Sequence, residues 1–254
     1  MQHTPGGSAI SASSRRASMI ARGRRDAAAS AANPHYFEAV EQYNAGNLAA
    51  AAEAFTRAAQ EGHAESQYIL SVLYEDGEAL PKNDAQAEWW ERKAAEQGHA
   101  YAQANLSFRY YSKGEYAEAF AWCQRAAFSN LPWAQYNLGL MYRKGEGVSA
   151  SDAEAARWYR LAAEQNYPEA QQKLGELYYF GQGVPLSHAQ AVAWYRLAAE
   201  AGNAEAQFQL GHLYSIGHGV DPDYAQSRYW IRRAAMQGHE QAVRELKRRE
   251  YRDP

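Results

Sequence analysis

Five of the seven tryptophans recur at nearly fixed intervals, and this periodicity constrains the fold more than any other feature of the sequence. Self-similarity with a period of about 20–50 residues is typical of repeat architectures, in which each unit buries its apolar face against its neighbours. The sequence therefore predicts an array of similar units. The tryptophans, spaced by 32, 36, 36 and 36 residues, are Trp90, Trp122, Trp158, Trp194 and Trp230, and the same intervals separate Gln67, Gln103, Gln135, Gln171 and Gln207.

Each unit has the pattern of two helices joined by a loop. Counted from the glutamine as position 0, leucine stands at +3, Ser or Gly at +4 and tyrosine at +7 in every copy, which places all three on one helical face. On the second helix, the tryptophan precedes an Ala-Ala pair by four residues. The small residue at +4 predicts that the partner helix approaches closely there.

Glycine and asparagine mark the ends of the predicted helices. The second helix ends at one of these two residues in each copy, as expected where the backbone turns left-handed: Gly62, Gly98, Asn130, Asn166, Gly202 and Gly238. A Gly-x-Gly-Val sequence follows the first helix at 145–148, 181–184 and 217–220. It resembles a phosphate-binding loop, but it recurs and follows a helix instead of a strand, so we interpret it as a structural turn and not as a dinucleotide site.

Composition excludes several classes of protein. Mean hydropathy is -0.66, and no stretch approaches the roughly 18 uninterrupted apolar residues of a membrane-spanning helix. Cys123 is the only cysteine, so no intramolecular disulfide can form, and its position beside Trp122 favours a buried role. Residues 1–34 carry net charge +4 within a total of -3, which leaves the remainder at -7 and argues against nucleic-acid binding by the folded domain.

The N-terminal residues 1–34 are rich in Arg, Ser and Ala, and we predict that they form a disordered leader. They lack the apolar stretch of a secretory signal, which favours a cytoplasmic location. The composition also fits a mitochondrial transit peptide, and Met19 is an alternative start, so these two alternatives stay open.

The repeated motif Gln-x-x-Leu-Gly-x-Leu-Tyr-x-x-Gly-x-Gly-Val, followed by Ala-x-x-Trp-Tyr-x-x-Ala-Ala, resembles the Sel-one-like repeat family, a relative of the tetratricopeptide repeats. The resemblance implies an all-α, α/α superhelical solenoid of about six helix-turn-helix repeats with a C-terminal capping helix. The predicted repeat domain is 35–254, with repeats at about 35–63, 64–99, 100–132, 133–167, 168–203 and 204–239 and a cap at 240–254. The copy at 100–132 is shortened and carries Arg109 where its neighbours have Leu or Met.

The same resemblance implies a non-enzymatic scaffold that binds a protein or peptide in its concave groove, as an adaptor or regulator in signalling or complex assembly. We expect the first helices to form the inner wall of this groove. Positions +1, +5 and +8 lie on one stripe of the first helix, and their residues vary between copies. Side chains that the shared fold does not require are typical of a binding surface.

The predicted groove residues at these positions are Tyr68, Glu75, Phe108, Tyr111, Tyr136, Arg143, Gln172, Glu176, Tyr179, Phe208 and His212. For Tyr68, Phe108, Tyr136 and Phe208 the alternative is that they pack between neighbouring repeats. Four polar members, Glu176, Arg143, His212 and Tyr179, favour the groove, because burial in an apolar interface without partners would be costly for them. Oligomeric state stays open.

The alternative function is a hydrolase acting on cell-wall or β-lactam compounds, since some cysteine-rich members of the family have been linked to β-lactams. The chain lacks their paired cysteines and contains no Ser-x-x-Lys, Gly-x-Ser-x-Gly or His-Glu-x-x-His motif. His212, His218 and Glu176 form the one candidate metal or acid–base group. We otherwise expect no catalytic residues, metal or cofactor, and we interpret His63, His99 and His239 as structural residues of the repeated turn.

Overall fold

The structure is a computed structural model that describes the backbone of residues 33–250 and the side chains of residues 33–247. Thirteen α-helices and no strands occur in this range, which confirms the all-α repeat prediction. None of these helices combines the length and apolar character needed to cross a membrane. In chain order the helices are α1 Pro34–Asn44, α2 Leu48–Gln60, α3 Ala64–Asp76, α4 Asp84–Glu96, α5 Ala100–Ser112, α6 Tyr116–Phe128, α7 Pro132–Lys144, α8 Asp152–Glu164, α9 Pro168–Phe180, α10 His188–Glu200, α11 Ala204–Ile216, α12 Tyr224–Met236 and α13 Glu240–Glu250.

Odd-numbered helices from α1 to α11 are the first helices of six repeats, and even-numbered helices are the second helices. The chain divides into two compact units, Met1–Arg109 and Tyr110–Pro254, with the boundary inside α5. In the second unit, α13 covers the last repeat: Ala242 is buried with Phe208 and Ile231, and Leu246 packs against them. The apolar side of α13 thus closes the core, as predicted for a terminal cap.

Local capping sets the helix ends. Asn130 and Asn166 have φ of 60° and 61°, and glycines with positive φ occupy the equivalent positions of the other repeats, which confirms the predicted left-handed turns. Asn33 and Pro34, the last two residues of the predicted leader, belong to the first helix and its cap, because the Asn33 side chain accepts a hydrogen bond from the Tyr36 amide and Pro34 is the first residue of α1. The rest of the predicted leader, residues 1–32, lies outside the described residues.

The small residue at +4 lets the two helices of a repeat touch. A Cβ atom added to Gly139 would lie 2.6 Å from the Tyr159 ring, and one added to Gly211 would lie 2.6 Å from Ile231. Tyr159 and Ile231 follow the repeated tryptophan directly, and both are completely buried. Because large side chains of the second helix fill the space that glycine leaves, the prediction of close approach at +4 is confirmed.

The repeated glutamine joins consecutive repeats. In all five copies its side-chain amide is buried and donates to the carbonyl of the second alanine in the preceding Ala-Ala pair, with N–O distances of 3.0–3.4 Å. That carbonyl is near the C-terminus of a second helix, where the backbone leaves acceptors without intrahelical partners. The bonds run from Gln67, Gln103, Gln135, Gln171 and Gln207 to Ala59, Ala95, Ala127, Ala163 and Ala199, respectively.

The Gly-x-Gly-Val loops are also packing devices. A Cβ atom on the second glycine would lie 2.0 Å from the Tyr116 carbonyl oxygen at Gly147 and 2.2 Å from the Asp152 carbonyl carbon at Gly183. Tyr116 and Asp152 are the first residues of α6 and α8, the second helices of the preceding repeats. Each loop therefore rests directly on the backbone of its neighbour, and only glycine permits that contact.

Candidate functional site

Three of the predicted residues at +1 are buried. Tyr68, Gln172 and Phe208 are at most 7% exposed, and Tyr136 is half-buried. The rings pack on the turn residue that directly precedes the next odd-numbered helix: Tyr68 lies 4.5 Å from His99, and Phe208 lies 4.6 Å from His239, between ring centroids. Tyr68 and Phe208 thus match the alternative of packing between repeats, because their rings lie against the neighbouring turn. Gln172, expected in the groove, is buried.

Tyr136 has the same kind of neighbour. Its ring centroid lies 5.5 Å from that of Tyr167, the turn residue that directly precedes α9. Burial raises the pKa of Tyr136 to about 12, with a smaller effect from Glu169. The residue is therefore a neutral packing side chain at any physiological pH.

The residues at +5 and +8 keep more exposure. In the first unit, Phe108 is 60% exposed and Glu75 is half-buried. In the second unit, Tyr111, Arg143, Glu176, Tyr179 and His212 are all half-buried. Position +11, the central residue of each Gly-x-Gly, lies beside +8 of the preceding repeat. We call the +5, +8 and +11 residues of the second unit the variable stripe: Tyr111, Leu140, Arg143, Glu146, Glu176, Tyr179, Gln182, His212, Ser215 and His218.

Arg143 is the centre of the best-connected part of this stripe. Its Nη2 donates to Glu176 Oε1 and to Gln182 Oε1, each at 2.9 Å. Lys173 donates to the other oxygen of Glu176 at 3.0 Å. Arg143 and Glu176 are each 23% exposed, so water still reaches the group. The network fixes the side chains of two consecutive repeats in one arrangement.

A second polar group lies one repeat earlier. The Tyr111 hydroxyl donates to the Glu146 carboxylate at 3.0 Å, and Lys144 lies 3.4 Å from the same hydroxyl oxygen. Burial raises the pKa of Tyr111, with the Glu146 hydrogen bond acting in the same direction. Tyr111 is thus held as a hydrogen-bond donor between a cation and an anion.

The predicted histidine group separates into two parts. His212 Nε2 lies 3.1 Å from Glu245 Oε2 on α13, whereas His218 stacks on His188 with 4.8 Å between centroids and 2° between planes. Tyr179 lies 5.0 Å from His188. The candidate group of His212, His218 and Glu176 is therefore not assembled, and within residues 33–247 no three His, Cys, Asp or Glu side chains are arranged to hold a metal ion.

The first unit contains a buried ion pair that the sequence pattern marked only as an irregularity. Arg109, at +6 where other copies have Leu or Met, donates from Nε to Glu91 Oε2 at 2.6 Å and approaches Glu75 at 3.3 Å. Glu91 is 1% exposed. Burial raises the pKa of Glu91, and Arg109 opposes part of that shift. Cys123, in the second unit, is buried as predicted.

The repeat geometry agrees with a match to a known family. The Sel1 repeat model matches residues 64–99, 100–127, 134–167, 168–203 and 204–239, which is more than half of the chain. The chain belongs to the Sel1 repeat family. The shortened copy at 100–127 is among the matched Sel1 repeats, so its Arg109 is a variation within the family pattern.

Two solved structures with Sel1-like repeats are similar over most of the chain. One is c5321, described as a protective antigen present in uropathogenic Escherichia coli strains displaying an SLR fold, with 33% identity, a TM-score of 0.76, and coverage of 88% of this chain and 50% of the other. The second is a Sel1 repeat protein from Oxalobacter formigenes, with 32% identity, a TM-score of 0.71 and coverage of 84% and 86%. The solenoid fold with a C-terminal helix is thus shared with known Sel1 repeat proteins.

Two fungal relatives carry functional names. Chitin synthase regulator SKT5 of Saccharomyces cerevisiae is 34% identical over 104 residues, and chitin synthase regulatory factor 3 of Schizosaccharomyces pombe is 33% identical over 108 residues. The matches cover 38% and 39% of this chain but only 15% and 11% of the regulators. The similarity therefore concerns less than a fifth of the length of either regulator.

Sequence reasoning missed two residues of the variable stripe and one residue that contacts it. Glu146 and Gln182 contact the +8 residues Tyr111 and Arg143 of the preceding Sel1 repeats, and Glu245 on α13 contacts His212. Glu146 and Gln182 occupy the one variable position inside an otherwise constant Gly-x-Gly, which is a signal that the internal alignment carries. Their partners are 35 and 39 residues away along the chain, so the contacts needed the tertiary structure.

Proposed function

We propose that the chain is a non-enzymatic protein-interaction scaffold that acts as an adaptor or regulator, and that its second unit binds a protein segment along the variable stripe. Membership of the Sel1 repeat family supports a scaffold role, and the names of the two fungal relatives support a regulatory one. The observation that carries the site assignment is that the +5, +8 and +11 residues differ from copy to copy while the residues that build the fold stay constant.

The chemistry of the stripe supports recognition of a polar peptide. Along successive repeats it presents a tyrosine between Lys144 and Glu146, then the Arg143–Glu176 pair, then Tyr179 beside two stacked imidazoles. Hydrogen bonds and ion pairs already fix these side chains in the free protein. Less conformational freedom is then lost on binding, which favours affinity.

The buried +1 residues have a different part in this proposal. Tyr68 and Phe208 pack on the turn residue before the next odd-numbered helix, and they and Gln172 are buried out of reach of a partner. In the first unit, the exposed Phe108 and the half-buried Glu75 are the candidates. We therefore expect substitutions at +1 to change stability, and substitutions at +5 and +8 to change binding.

The test compares two triple variants of the full chain as baits in lysate of the native source. The first carries Glu176→Lys, Tyr179→Ala and His212→Ala on the variable stripe. The second is a matched control on the outer face of the second helices, with Glu200→Lys, Tyr224→Ala and Leu197→Ala at exposed positions. Circular dichroism checks that both variants keep the wild-type helix content.

A protein captured by wild type is then purified, and its affinity for the three baits is measured by calorimetry. We expect the stripe variant to lose at least tenfold in affinity and the control to stay within about twofold, because charge reversal at a binding centre costs more than at a distant surface. Equal affinity for wild type and the stripe variant would contradict the site assignment. Turnover of a β-lactam or cell-wall substrate by the purified chain would contradict the non-enzymatic role.

A further inference from the structure

The second helices α8 and α10 each carry an arginine that donates a hydrogen bond to a tyrosine of the next repeat. We call the space that this arginine occupies the filled groove. Arg160 on α8 donates from Nη2 to the hydroxyl oxygen of Tyr178 at 2.5 Å, and its guanidinium carbon lies 6.0 Å from the centre of that ring. Arg196 on α10 makes the same bond to Tyr214 at 2.8 Å. In both cases the tyrosine is the constant +7 residue of the next repeat, so the groove beside it is shaped for a guanidinium group.

One repeat earlier the arginine is missing. Gln124 stands 36 residues before Arg160, and Tyr142 stands 36 residues before Tyr178. Both line an open cavity of about 430 Å³ between α6 and α8. Among the described residues none donates a hydrogen bond to the Tyr142 hydroxyl, since the Gln124 side chain is shorter than an arginine. The volume is within the range of about 300–1,000 Å³ that is typical of ligand pockets.

Two further walls of the cavity, an aromatic pair and the Glu154 carboxylate, suit a guanidinium group, while the exposed Arg157 side chain also lines it. Phe128 is 71% exposed and packs edge-on against Trp158, with 5.4 Å between ring centroids. The filled groove has Glu164 in place of Phe128 and Gln190 in place of Glu154. Compared with the filled groove, the cavity thus has an additional aromatic wall and a carboxylate, which are favourable for binding a planar cation.

We propose that this cavity binds the side chain of an arginine from a partner protein. The guanidinium would donate to the Tyr142 hydroxyl, as Arg160 does to Tyr178, and to the Glu154 carboxylate, while its face packs on Phe128 and Trp158. Arg157 already donates to Glu154 Oε1 at 2.9 Å but is 75% exposed, and Oε2 accepts no bond from the described side chains. The claim that the arginine belongs to a partner protein rests on the proposed protein-binding function. The cavity itself is a site separate from the variable stripe.

The test uses the full chain labelled with 5-fluorotryptophan and observed by fluorine NMR, with the Trp158 signal assigned from the Trp158→Phe variant. The probes are the capped tripeptide acetyl-Gly-Arg-Gly-amide, the same tripeptide with citrulline or lysine in place of arginine, and free arginine. We expect a saturable shift of the Trp158 signal with the arginine tripeptide and at least tenfold weaker binding of the citrulline tripeptide, which has the same shape without the charge.

Three variants test whether the change in the Trp158 signal arises at the cavity. Gln124→Arg supplies the arginine that the neighbouring repeats have, so it should fill the cavity and abolish the shift. Glu154→Gln, the residue of the next repeat at a partly exposed position, should weaken the tripeptide at least tenfold while leaving the fold intact. The reciprocal variant Arg160→Gln leaves Glu164 and Gln190 in place of Phe128 and Glu154. Any shift of the Trp194 signal in this variant should therefore need at least tenfold more tripeptide than the wild-type Trp158 shift.

A wild-type Trp158 signal that does not respond to the arginine tripeptide would overturn the proposal. Equal binding of the arginine and citrulline tripeptides, or a shift that persists in both Gln124→Arg and Glu154→Gln, would do the same. Binding of free arginine without the capped tripeptide would make this a small-molecule site and overturn the assignment to a partner protein. The tripeptide titrations contain no partner protein, so a negative result leaves the proposal for the variable stripe and its capture experiment unaffected.

Discussion

The hydrogen bonds of the repeated glutamine offer a direct test of what stabilises the contact between consecutive repeats. In three repeats the glutamine accepts a second hydrogen bond, at 2.7–2.8 Å, from another glutamine at the C-terminus of its own second helix: Gln97 to Gln67, Gln165 to Gln135, and Gln237 to Gln207. In the fifth repeat Ala201 takes that place, and Gln171 Oε1 is buried without a hydrogen-bond partner among the described residues. We predict that Ala201→Gln stabilises the protein by supplying the missing donor.

The magnitude follows from what the substitution adds. A typical hydrogen bond contributes about 0.5–1.5 kcal/mol net, and relieving an unsatisfied buried acceptor adds to that value. Fixing a glutamine side chain costs up to about 1.5–2 kcal/mol, less where the chain stays partly exposed, as the Ala201 position is. The expected net gain is about 1 kcal/mol. For a chain of this length that corresponds to a rise of about 2–4 °C in melting temperature.

Urea unfolding monitored by circular dichroism at 222 nm measures the effect, provided that the denaturant slope is unchanged. Ala201→Leu is the control for added side-chain bulk without a donor. The double variant Ala201→Gln with Gln171→Ala closes a mutant cycle, and the gain should vanish in that background because the acceptor is gone. A gain no larger than that of Ala201→Leu, or one that survives without Gln171, would refute the reasoning.

Three further predictions concern packing and charge. Gly183→Ala should destabilise the protein by about 2–5 kcal/mol, because the new Cβ would meet the backbone of α8. Gly202→Ala, whose Cβ would lie in open space, should destabilise it by only about 1–2 kcal/mol, and urea unfolding midpoints compare the two variants. Arg109→Leu should lower the free energy of unfolding by about 3 kcal/mol, because the buried Glu91 carboxylate loses its ion-pair partner. Adding Glu91→Gln should make this loss smaller, and chemical unfolding of both variants measures the difference. Burial lowers the pKa of His63, whose Nδ1 accepts a hydrogen bond from a backbone amide. The stability that His63 contributes is therefore complete above the usual histidine pKa of about 6.5 and declines as the pH falls below it. The unfolding free energies at pH 8 and pH 5.5 should differ less in His63→Asn than in wild type.

The repeat register, the helix ends and the close approach at +4 could be predicted from the sequence because each depends on local chemistry. A left-handed turn needs Gly or Asn at one position, as at Asn130 and Asn166, and a helix contact needs a small residue at +4, as at Gly139. Five copies of one unit repeat these requirements and so separate them from residues that vary freely. The sequence alone therefore determined the all-α repeat fold and the variable positions within it.

Only the tertiary structure decided what the variable positions do. Positions +1 and +5 lie on the same helical stripe, yet Phe208 at +1 is buried on His239 while Glu176 at +5 stays half-exposed in an ion pair with Arg143. The cavity beside Tyr142 likewise depends on a contact between residues that belong to consecutive repeats. The physical reason is that these side chains meet residues about 18–39 positions away, across repeat boundaries, and no local pattern specifies which pairs come together.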